Sequence, residues 1–187
     1  MTGTTGMWIV PGVAALVVVW GVLAFNRLVR LRMQARAAWS QIDVQLCRRH
    51  DLIPNLVESV KGYMAHERAT LDAVVAARTR AQSAGDDVAT RGAAESALGG
   101  ALSRLMMLIE NYPQLKASET VLALQEELAS TENRIAFARQ HFNDCVMTYN
   151  TAIGSIPDML LAGAAGFQPQ TMYEAEGAVR GPVGVKL

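Results

Sequence analysis

The stretch that decides the fold is residues 118–155, SETVLALQEELASTENRIAFARQHFNDCVMTYNTAIGS, which carries the longest unbroken helical pattern in the chain. Mostly apolar residues recur in it every seven positions, in one set at Leu128, Ile135, Phe142 and Tyr149 and in an offset set at Leu124, Thr131, Ala138, Cys145 and Ala152. A sustained seven-residue period is typical of helices that pack side by side as in coiled coils. At a rise of 1.5 Å per residue, about 38 residues extend roughly 57 Å. The stretch therefore predicts one member of an elongated helical bundle.

An earlier segment repeats this pattern and predicts the first helix of the same bundle. Its two core sets are Trp39, Leu46, Ile53 and Val60, and Ile42, Arg49, Leu56 and Tyr63. Pro54 removes one helical hydrogen bond and is expected to kink the helix there. Because a buried guanidinium needs a carboxylate, Arg49 requires a partner. An antiparallel register places Thr131 level with Arg49, so we expect Glu127 or Glu132 to pair with it, with Thr131 as a further acceptor.

Two shorter helices are predicted between these long ones. A bend near Gly62 precedes a second helix that ends near Ser83, with Leu71, Val74, Val75 and Arg78 on one face. A loop at Gly85, Asp86 and Asp87 leads to an Ala-rich third helix with Leu98, Leu102, Leu105 and Ile109 on one face. Gly99 and Gly100 would allow close approach of a neighbour, and Met106 and Met107 are expected to fill the core. Tyr112 and Pro113 end this helix, and Ser118 is a good N-cap for the next.

A membrane anchor is predicted at residues 7–25, MWIVPGVAALVVVWGVLAF, which contain no charge. As a helix this segment would extend about 28 Å, close to the thickness of a hydrocarbon core. Four arginines, at positions 27, 30, 32 and 36, follow it, and positive charge beside a span tends to stay cytoplasmic. We expect the N-terminus outside the bacterial inner membrane and the bundle in the cytoplasm. Residues 1–6 would form a short tail and 26–155 the bundle.

The last segment, residues 156–187, is predicted to close the bundle. Pro157 ends the long helix, and the apolar run MLLAGAAGF at 159–167 is too short to cross a membrane. It would either lie in the membrane interface or cap the membrane end of the bundle. The tail from Gln168 is too short to fold alone, and we expect it to drape over a neighbour.

Charge and cysteine content exclude several classes of protein. The chain has 17 basic and 17 acidic residues, and residues 1–36 hold four arginines and no acid, so the remainder carries a net charge of −4. A nucleic-acid-binding face would need a basic stripe across the folded domain, which this distribution does not provide. Cys47 and Cys145 are too far apart in sequence to suggest a zinc site, and the antiparallel register predicts that both are free thiols.

The familiar catalytic patterns are incomplete in this chain. His66 and Glu67 begin an HExxH zinc motif, but Thr70 stands where the second histidine belongs. Acid–base pairs at His50 with Asp51, or at His141 with Asp144, are weaker interpretations than surface or packing roles. GAAGF lacks the lysine of a phosphate-binding loop. We therefore predict no catalytic, cofactor-binding or metal-binding residues.

Four segments resemble the LemA family. They are WSQIDVQLCRRHDLIPNLVESVKGYMAHE (39–67), NYPQLKASE (111–119), LQEELASTENRIAFARQHFNDCVMTYN (124–150) and SIPDMLLAGAAGF (155–167). The resemblance implies a bacterial, single-pass membrane protein with a four-helix up-and-down bundle that is cytoplasmic or periplasmic. It brings no established catalytic residues. The family includes a protein of the magnetosome membrane, so a role in organising membrane compartments is an expectation that follows from the resemblance.

These observations together predict an all-α protein in which an N-terminal transmembrane helix continues into an elongated up-and-down four-helix bundle. The expected function is a structural or scaffolding one, without enzymatic activity or a cofactor, at the bacterial inner membrane or an internal membrane such as the magnetosome. The expected partners are the lipid bilayer, other copies of the chain in a homo-oligomer, and an unidentified protein, but no nucleic acid. The alternative is an accessory subunit of an enzyme, or a weak enzyme, whose site forms between protomers.

Overall fold

The computed structural model describes the backbone of residues 3–85 and 87–173, and the side chains from Val10 onward in those ranges. The regular secondary structure of this part of the chain is all α-helix, without a β-strand, which confirms the all-α prediction. Its helices are α1 (Gly3–Lys61), α2 (Arg68–Gln82), α3 (Val88–Ile109), α4 (Pro113–Lys116), α5 (Glu119–Gly154) and α6 (Asp158–Ala164). The predicted anchor and the predicted first bundle helix are thus one continuous helix of 59 residues.

Helix ends follow the local signals in most places. Helix α1 already begins at Gly3, within the segment 1–6 that the sequence assigned to a tail, and it continues through Pro54. Asp87, which the sequence placed in a loop, is the N-cap of α3, and its carboxylate accepts a hydrogen bond of 2.8 Å from the Thr90 amide. This bond and a second one of 2.7 Å from the Thr90 hydroxyl lower the pKa of Asp87. Helix α5 begins one residue after Ser118.

The chain divides into two compact units. Unit 1 consists of Met1–Ser40 and Gln140–Thr171, and unit 2 of Gln41–Arg139 and Met172–Leu187. Each unit has its own buried apolar cluster.

Unit 2 is built from the C-terminal part of α1, helices α2, α3 and α4, and the N-terminal part of α5. Asp43 and Arg49 of α1 pair with Arg91 and Glu95 of α3, and because the partners advance together along both helices, α1 and α3 run parallel. Helix α2 comes between α1 and α3 in the chain, packs against α3, and runs in the opposite direction to both. The four predicted core residues of α3 are all buried: Leu98, Leu102, Leu105 and Ile109.

Unit 1 joins α1 to the end of α5 and to α6. Its core contains Leu28, Tyr149, Ala152, Ala162 and Phe167. Farther along α1, the Trp39 ring lies 5.2 Å from that of Phe142. Since contacts at higher positions of α1 involve lower positions of α5, the two helices run antiparallel within this unit.

The seven-residue pattern identified most of the buried positions of α5. Leu128, Ile135, Phe142 and Tyr149 are all buried. In the offset set Thr131 and Ala152 are buried, but Leu124, Ala138 and Cys145 are half-buried, and Val146 is buried beside Cys145. An α-helix has 3.6 residues per turn, so its buried stripe drifts by about 20° in each heptad and moves to the following residue after several repeats.

Five other positions predicted to be buried, or to let a neighbour approach closely, are corrected. Tyr63 is exposed and Met64 is buried instead, because α1 ends at Lys61 and the helical spacing stops there. Val75 is exposed, since the buried stripe of α2 continues through Ala77 and Ala81. Met107 is exposed, and a Cβ added at Gly99 or Gly100 would meet nothing within 4 Å, so neither glycine marks a close approach.

Candidate functional site

The most unusual feature of unit 2 is a cluster of ionisable side chains in its helical core and at the edge of that core, which we call the Arg49 cluster: Arg49, His50, Glu95 and Glu132. Arg49 is 1% exposed and Glu95 is fully buried. Both lie where the helices present their core faces, since Arg49 follows the heptad of α1 and Glu95 is in register with Leu102 and Ile109 of α3. Charged side chains are almost never fully buried unless they are paired, so the contacts of this cluster decide what it does.

Arg49 bridges two carboxylates from different helices. Its Nη2 donates to Oε2 of Glu95, and its Nη1 donates to Oε2 of Glu132 at 2.7 Å. Nη2 also lies 3.4 Å from the backbone carbonyl oxygen of Glu95. The remaining donor of the guanidinium, Nε, is buried without a hydrogen-bond partner. Arg49 thus ties α1 to α3 and to α5.

The predicted partners of Arg49 are confirmed in part. Glu132 pairs with it as expected, but Glu127 pairs instead with Arg48, whose Nη2 lies 2.6 Å from Glu127 Oε1 in a partly exposed contact. Thr131 is buried, yet its hydroxyl donates to the backbone carbonyl of Glu127 at 2.8 Å and does not accept from Arg49. A hydroxyl in a helix commonly binds the carbonyl one turn earlier, and this local bond removes Thr131 from the cluster.

His50 completes the cluster on the other side of Glu95. Its Nε2 lies 3.0 Å from Glu95 Oε1, close enough for an ion pair when the imidazole is protonated, although the contact is not aligned as a hydrogen bond. The His50 backbone carbonyl accepts a hydrogen bond of 2.7 Å from Nε of Arg78 on α2. Asp51, the acid–base partner considered from the sequence, is exposed and contributes nothing to this cluster.

Glu95 is ionised in this environment. Burial alone would raise its pKa, but the neighbouring His50 and the Arg49 guanidinium outweigh burial and hold the pKa of Glu95 below its ordinary value. The carboxylate is therefore negatively charged at neutral pH, and it accepts a hydrogen bond from Arg49. It is not poised as a general acid, which would need a raised pKa.

A cavity of about 730 Å³ opens beside the Arg49 cluster, between α3 and α5. Its walls are mainly apolar and include Leu102, Met106, Ile109, Leu122 and Leu128. Arg49 and Glu132 line it as well, together with Glu110 and Lys116. Cavities of this volume and composition accommodate small molecules.

Other residues singled out in the sequence lie apart from one another or in ordinary helical contacts. The His141 ring stands 3.8 Å from the sulfur of Cys145, one turn away on α5. Cys47 and Cys145 are both free thiols, as predicted. Burial raises the pKa of each thiol, with Asp43 adding to the effect at Cys47 and Asp144 at Cys145. In the described ranges no three His, Cys, Asp or Glu side chains are grouped so as to hold a metal ion.

The chain after α5 binds to its own helices. In unit 1 the hydroxyl of Tyr149 donates to the Gln168 carbonyl at 2.9 Å, and Asn150 exchanges two hydrogen bonds with the backbone of Gln170. In unit 2 Tyr173 is buried beneath the guanidinium of Arg139, 4.5 Å from the ring centroid. The tail was expected to drape over a neighbour; residues 168–173 pack on helices of this chain, and residues 174–187 lie outside the described part.

Helix α1 is long and apolar enough to cross a membrane, judged by length and composition. Its most apolar window has a mean hydropathy of 2.0 and is only 11% buried. Every residue from Val10 to Trp20 is exposed, and most of them are large and apolar. In a globular protein an amphipathic helix would turn such side chains inward.

Comparison with known proteins places these features in a family. The sequence model described as the LemA family matches residues 38–187. The chain is 26% identical over 186 residues to the magnetosome protein MamQ of Magnetospirillum gryphiswaldense, with 86% of this chain and 68% of that protein covered. It is 25% identical over 128 residues to protein LemA of Metamycoplasma hominis, with 68% of this chain and 58% of that protein covered. The family match spans most of the sequence, including α2 to α6 and the Arg49 cluster, and the chain belongs to the LemA family.

Proposed function

We propose that this protein is a membrane-anchored helical scaffold that self-associates at the inner membrane of a bacterium. The observation that carries the proposal is the exposed apolar surface of α1 from Val10 to Phe25. Each Å² of apolar surface left in water costs about 25 cal/mol, so a stretch of this size is unfavourable unless lipid covers it. Once this part of α1 is in a bilayer, the rest of the same helix holds the bundle at the membrane.

The arginines that follow the apolar stretch support an orientation with the bundle in the cytoplasm. Arg27, Arg30, Arg32 and Arg36 are all exposed along α1, and near the cytoplasmic leaflet each adds roughly 1 kcal/mol of attraction to anionic lipid. A reporter fused after Leu187 tests this orientation. We expect an alkaline phosphatase fusion there to be inactive and a fluorescent-protein fusion to be bright; the reverse pattern would contradict it.

The Arg49 cluster supports a structural role for unit 2. Both terminal nitrogens of Arg49 are occupied by carboxylates of the same chain, and Glu95 is withdrawn from solvent. Such an arrangement fixes the register of helices, as single polar core residues do in coiled coils. The relationship to a magnetosome protein suggests that the scaffold serves to organise a membrane compartment.

The cavity between α3 and α5 favours a second candidate function, the binding of a small, largely apolar molecule. A role as an enzyme or as an accessory subunit would build on the same cavity. Native mass spectrometry of the purified protein tests this candidate, with Ser103→Trp as a variant that places a large side chain at the cavity wall. A stoichiometric small molecule that is lost in the variant would support it, and an empty wild-type protein would count against it.

Membrane fractionation tests the anchoring directly. We expect the wild-type chain to remain in the membrane pellet after an alkaline carbonate wash. Arginine at the centre of a span disfavours insertion by about 2.5–3.5 kcal/mol, so the variant Leu16→Arg with Val19→Arg should move to the soluble fraction. The matched control is Val44→Arg, which replaces an equally exposed valine of α1 in unit 2. Wild-type protein that washes off the membrane would refute the proposal.

A further inference from the structure

Helix α6 turns its apolar side outward. Leu160 is 70% exposed and Met159 is 46% exposed, and Ile156, just before the helix, is 81% exposed. The side that faces the protein holds Asp158 and Ala162, one turn apart and both buried. A surface helix normally has the opposite arrangement, with polar residues outward. We call Ile156, Met159 and Leu160 the α6 face.

The α6 face stands beside the end of the apolar stretch of α1, in the same unit. The Phe167 ring packs edge-on against that of Phe25, with centroids 5.7 Å apart. Asp158 Oδ2 accepts from Arg27 Nη1 at 3.0 Å. Phe25 is the last residue of the apolar stretch and Arg27 is the first charged residue of the chain. Helix α6 is therefore held at the level where α1 changes from apolar to basic.

The chemistry of the α6 face matches the boundary between lipid headgroups and acyl chains. Asp158 is the sole charged residue in the sequence 156–167, and its carboxylate is buried against Arg27. The outward side chains are thus free of charge, while Arg30 follows one turn farther along α1 and is exposed. Apolar groups beside exposed arginines are typical of segments that lie in the interface of a membrane with anionic lipids.

We propose that the α6 face inserts into the headgroup–acyl boundary of the leaflet from which α1 emerges, as a second membrane contact of unit 1. This inference rests on the proposed anchoring of α1 and goes beyond it. A lone helix in a bilayer is free to rotate about its axis and to tilt. With the α6 face held in the interface, unit 1 has a fixed rotation and a fixed depth relative to the membrane.

Depth-dependent fluorescence quenching tests the proposal on the full chain. In a background of Cys47→Ala and Cys145→Ala, an environment-sensitive fluorophore is attached to Leu160→Cys, and the protein is reconstituted into vesicles of phosphatidylethanolamine and phosphatidylglycerol. Interfacial helices bury their apolar side about 5–10 Å below the surface, so a lipid spin-labelled near the headgroup should quench this fluorophore about twofold more than one labelled deep in the chain. The matched control is Phe137→Cys, an equally exposed apolar residue of unit 2, which should remain unquenched.

A third label at Leu16→Cys separates this inference from the anchoring on which it rests. Deep quenching at Leu16 together with a water-exposed, unquenched label at Leu160 would overturn the α6 proposal and leave the anchor intact. A blue-shifted label at Leu160 that no lipid quencher reaches would mean that another protein copy covers the α6 face, and would also overturn it. Absence of quenching at Leu16 would refute the anchoring and the inference together.

Discussion

Replacing Arg49 by methionine should destabilise the bundle far more than the same change at its neighbour Arg48. Arg49→Met leaves the Glu95 carboxylate in the core with only His50 beside it, whereas Arg48→Met breaks a partly exposed pair with Glu127. Removing one member of a buried ion pair typically costs about 3–5 kcal/mol. Exposed pairs contribute about 0–1 kcal/mol. The two variants lose the same charge from adjacent positions and differ in the burial and the number of the ion pairs that are lost, so Arg48→Met is the control.

The magnitude is large compared with the stability of a typical domain, about 5–15 kcal/mol. For a chain of this length, 1 kcal/mol corresponds to about 2–4 °C in Tm, so Arg49→Met should lower the Tm by about 6–20 °C. Arg48→Met should lower it by no more than about 4 °C. Thermal unfolding of the detergent-solubilised chain, followed by far-ultraviolet circular dichroism, measures both shifts. Equal shifts for the two variants would refute the assignment of Arg49 as a buried structural cation.

A double-mutant cycle then tests the pairing itself. Arg49→Met with Glu95→Met replaces both charges by apolar side chains, and such a replacement of a buried pair is often neutral. We expect the double variant to be less destabilised than the sum of the two single variants, by more than about 0.5 kcal/mol. Additive losses would mean that the two side chains are not coupled. Glu132→Gln should cost about 1 kcal/mol or less, since this carboxylate is half-exposed.

Three further outcomes are expected. Gly99→Ala and Gly100→Ala should each raise the free energy of unfolding, measured by chemical denaturation, by about 1 kcal/mol. The added Cβ meets no neighbour within 4 Å, and alanine favours the helix over glycine. A loss of stability would show that the space beside these glycines is filled. Because folding lowers the pKa of Glu95, the ionised carboxylate stabilises the fold fully above the ordinary pKa of 4.5, and this stabilisation is lost as the pH falls through the lowered pKa. Glu95→Gln should therefore make the Tm less dependent on pH in the acid range. An unchanged pH dependence would contradict the ionised state of Glu95. Cys47 and Cys145 should both react with a thiol reagent in the native protein without prior reduction, so mass spectrometry should find two reagent molecules attached to each chain. An intramolecular disulfide between the two cysteines would contradict the fold.

Sequence periodicity predicted the helices and the core position of Arg49, but it did not identify Glu95 as the main partner of Arg49. A seven-residue repeat gives the level of a residue along a bundle, which is why Glu132 was identified. It places Glu127 and Glu132 on opposite flanks of the core face of α5 but does not tell which flank Arg49 meets, and so it could not separate Glu132 from Glu127. Glu95 stands in register with Leu102 and Ile109, a signal present in the sequence. It was missed because a glutamate in an Ala-rich helix is usually exposed, and its contact with Arg49 joins positions 46 residues apart.

The α6 face shows a different limit of the sequence. The run 159–167 is apolar throughout, so its composition left an interfacial helix and a cap on the bundle equally open. The fold separates two sides of this segment: Ala162 and Phe167 pack into unit 1, while Met159 and Leu160 point away from it. Periodicity has no information in a segment without polar residues, and only the position of α1 beside it distinguishes the two sides.

Self-association is the central claim of the scaffold proposal, and the mass of the protein in detergent tests it most directly. Multi-angle light scattering of the full-length chain, corrected for bound detergent and repeated over a range of concentrations, gives that mass. We predict a multiple of the 20.2 kDa chain that persists on dilution. A mass of 20.2 kDa at every concentration would contradict the proposal that this protein works as a self-associating scaffold.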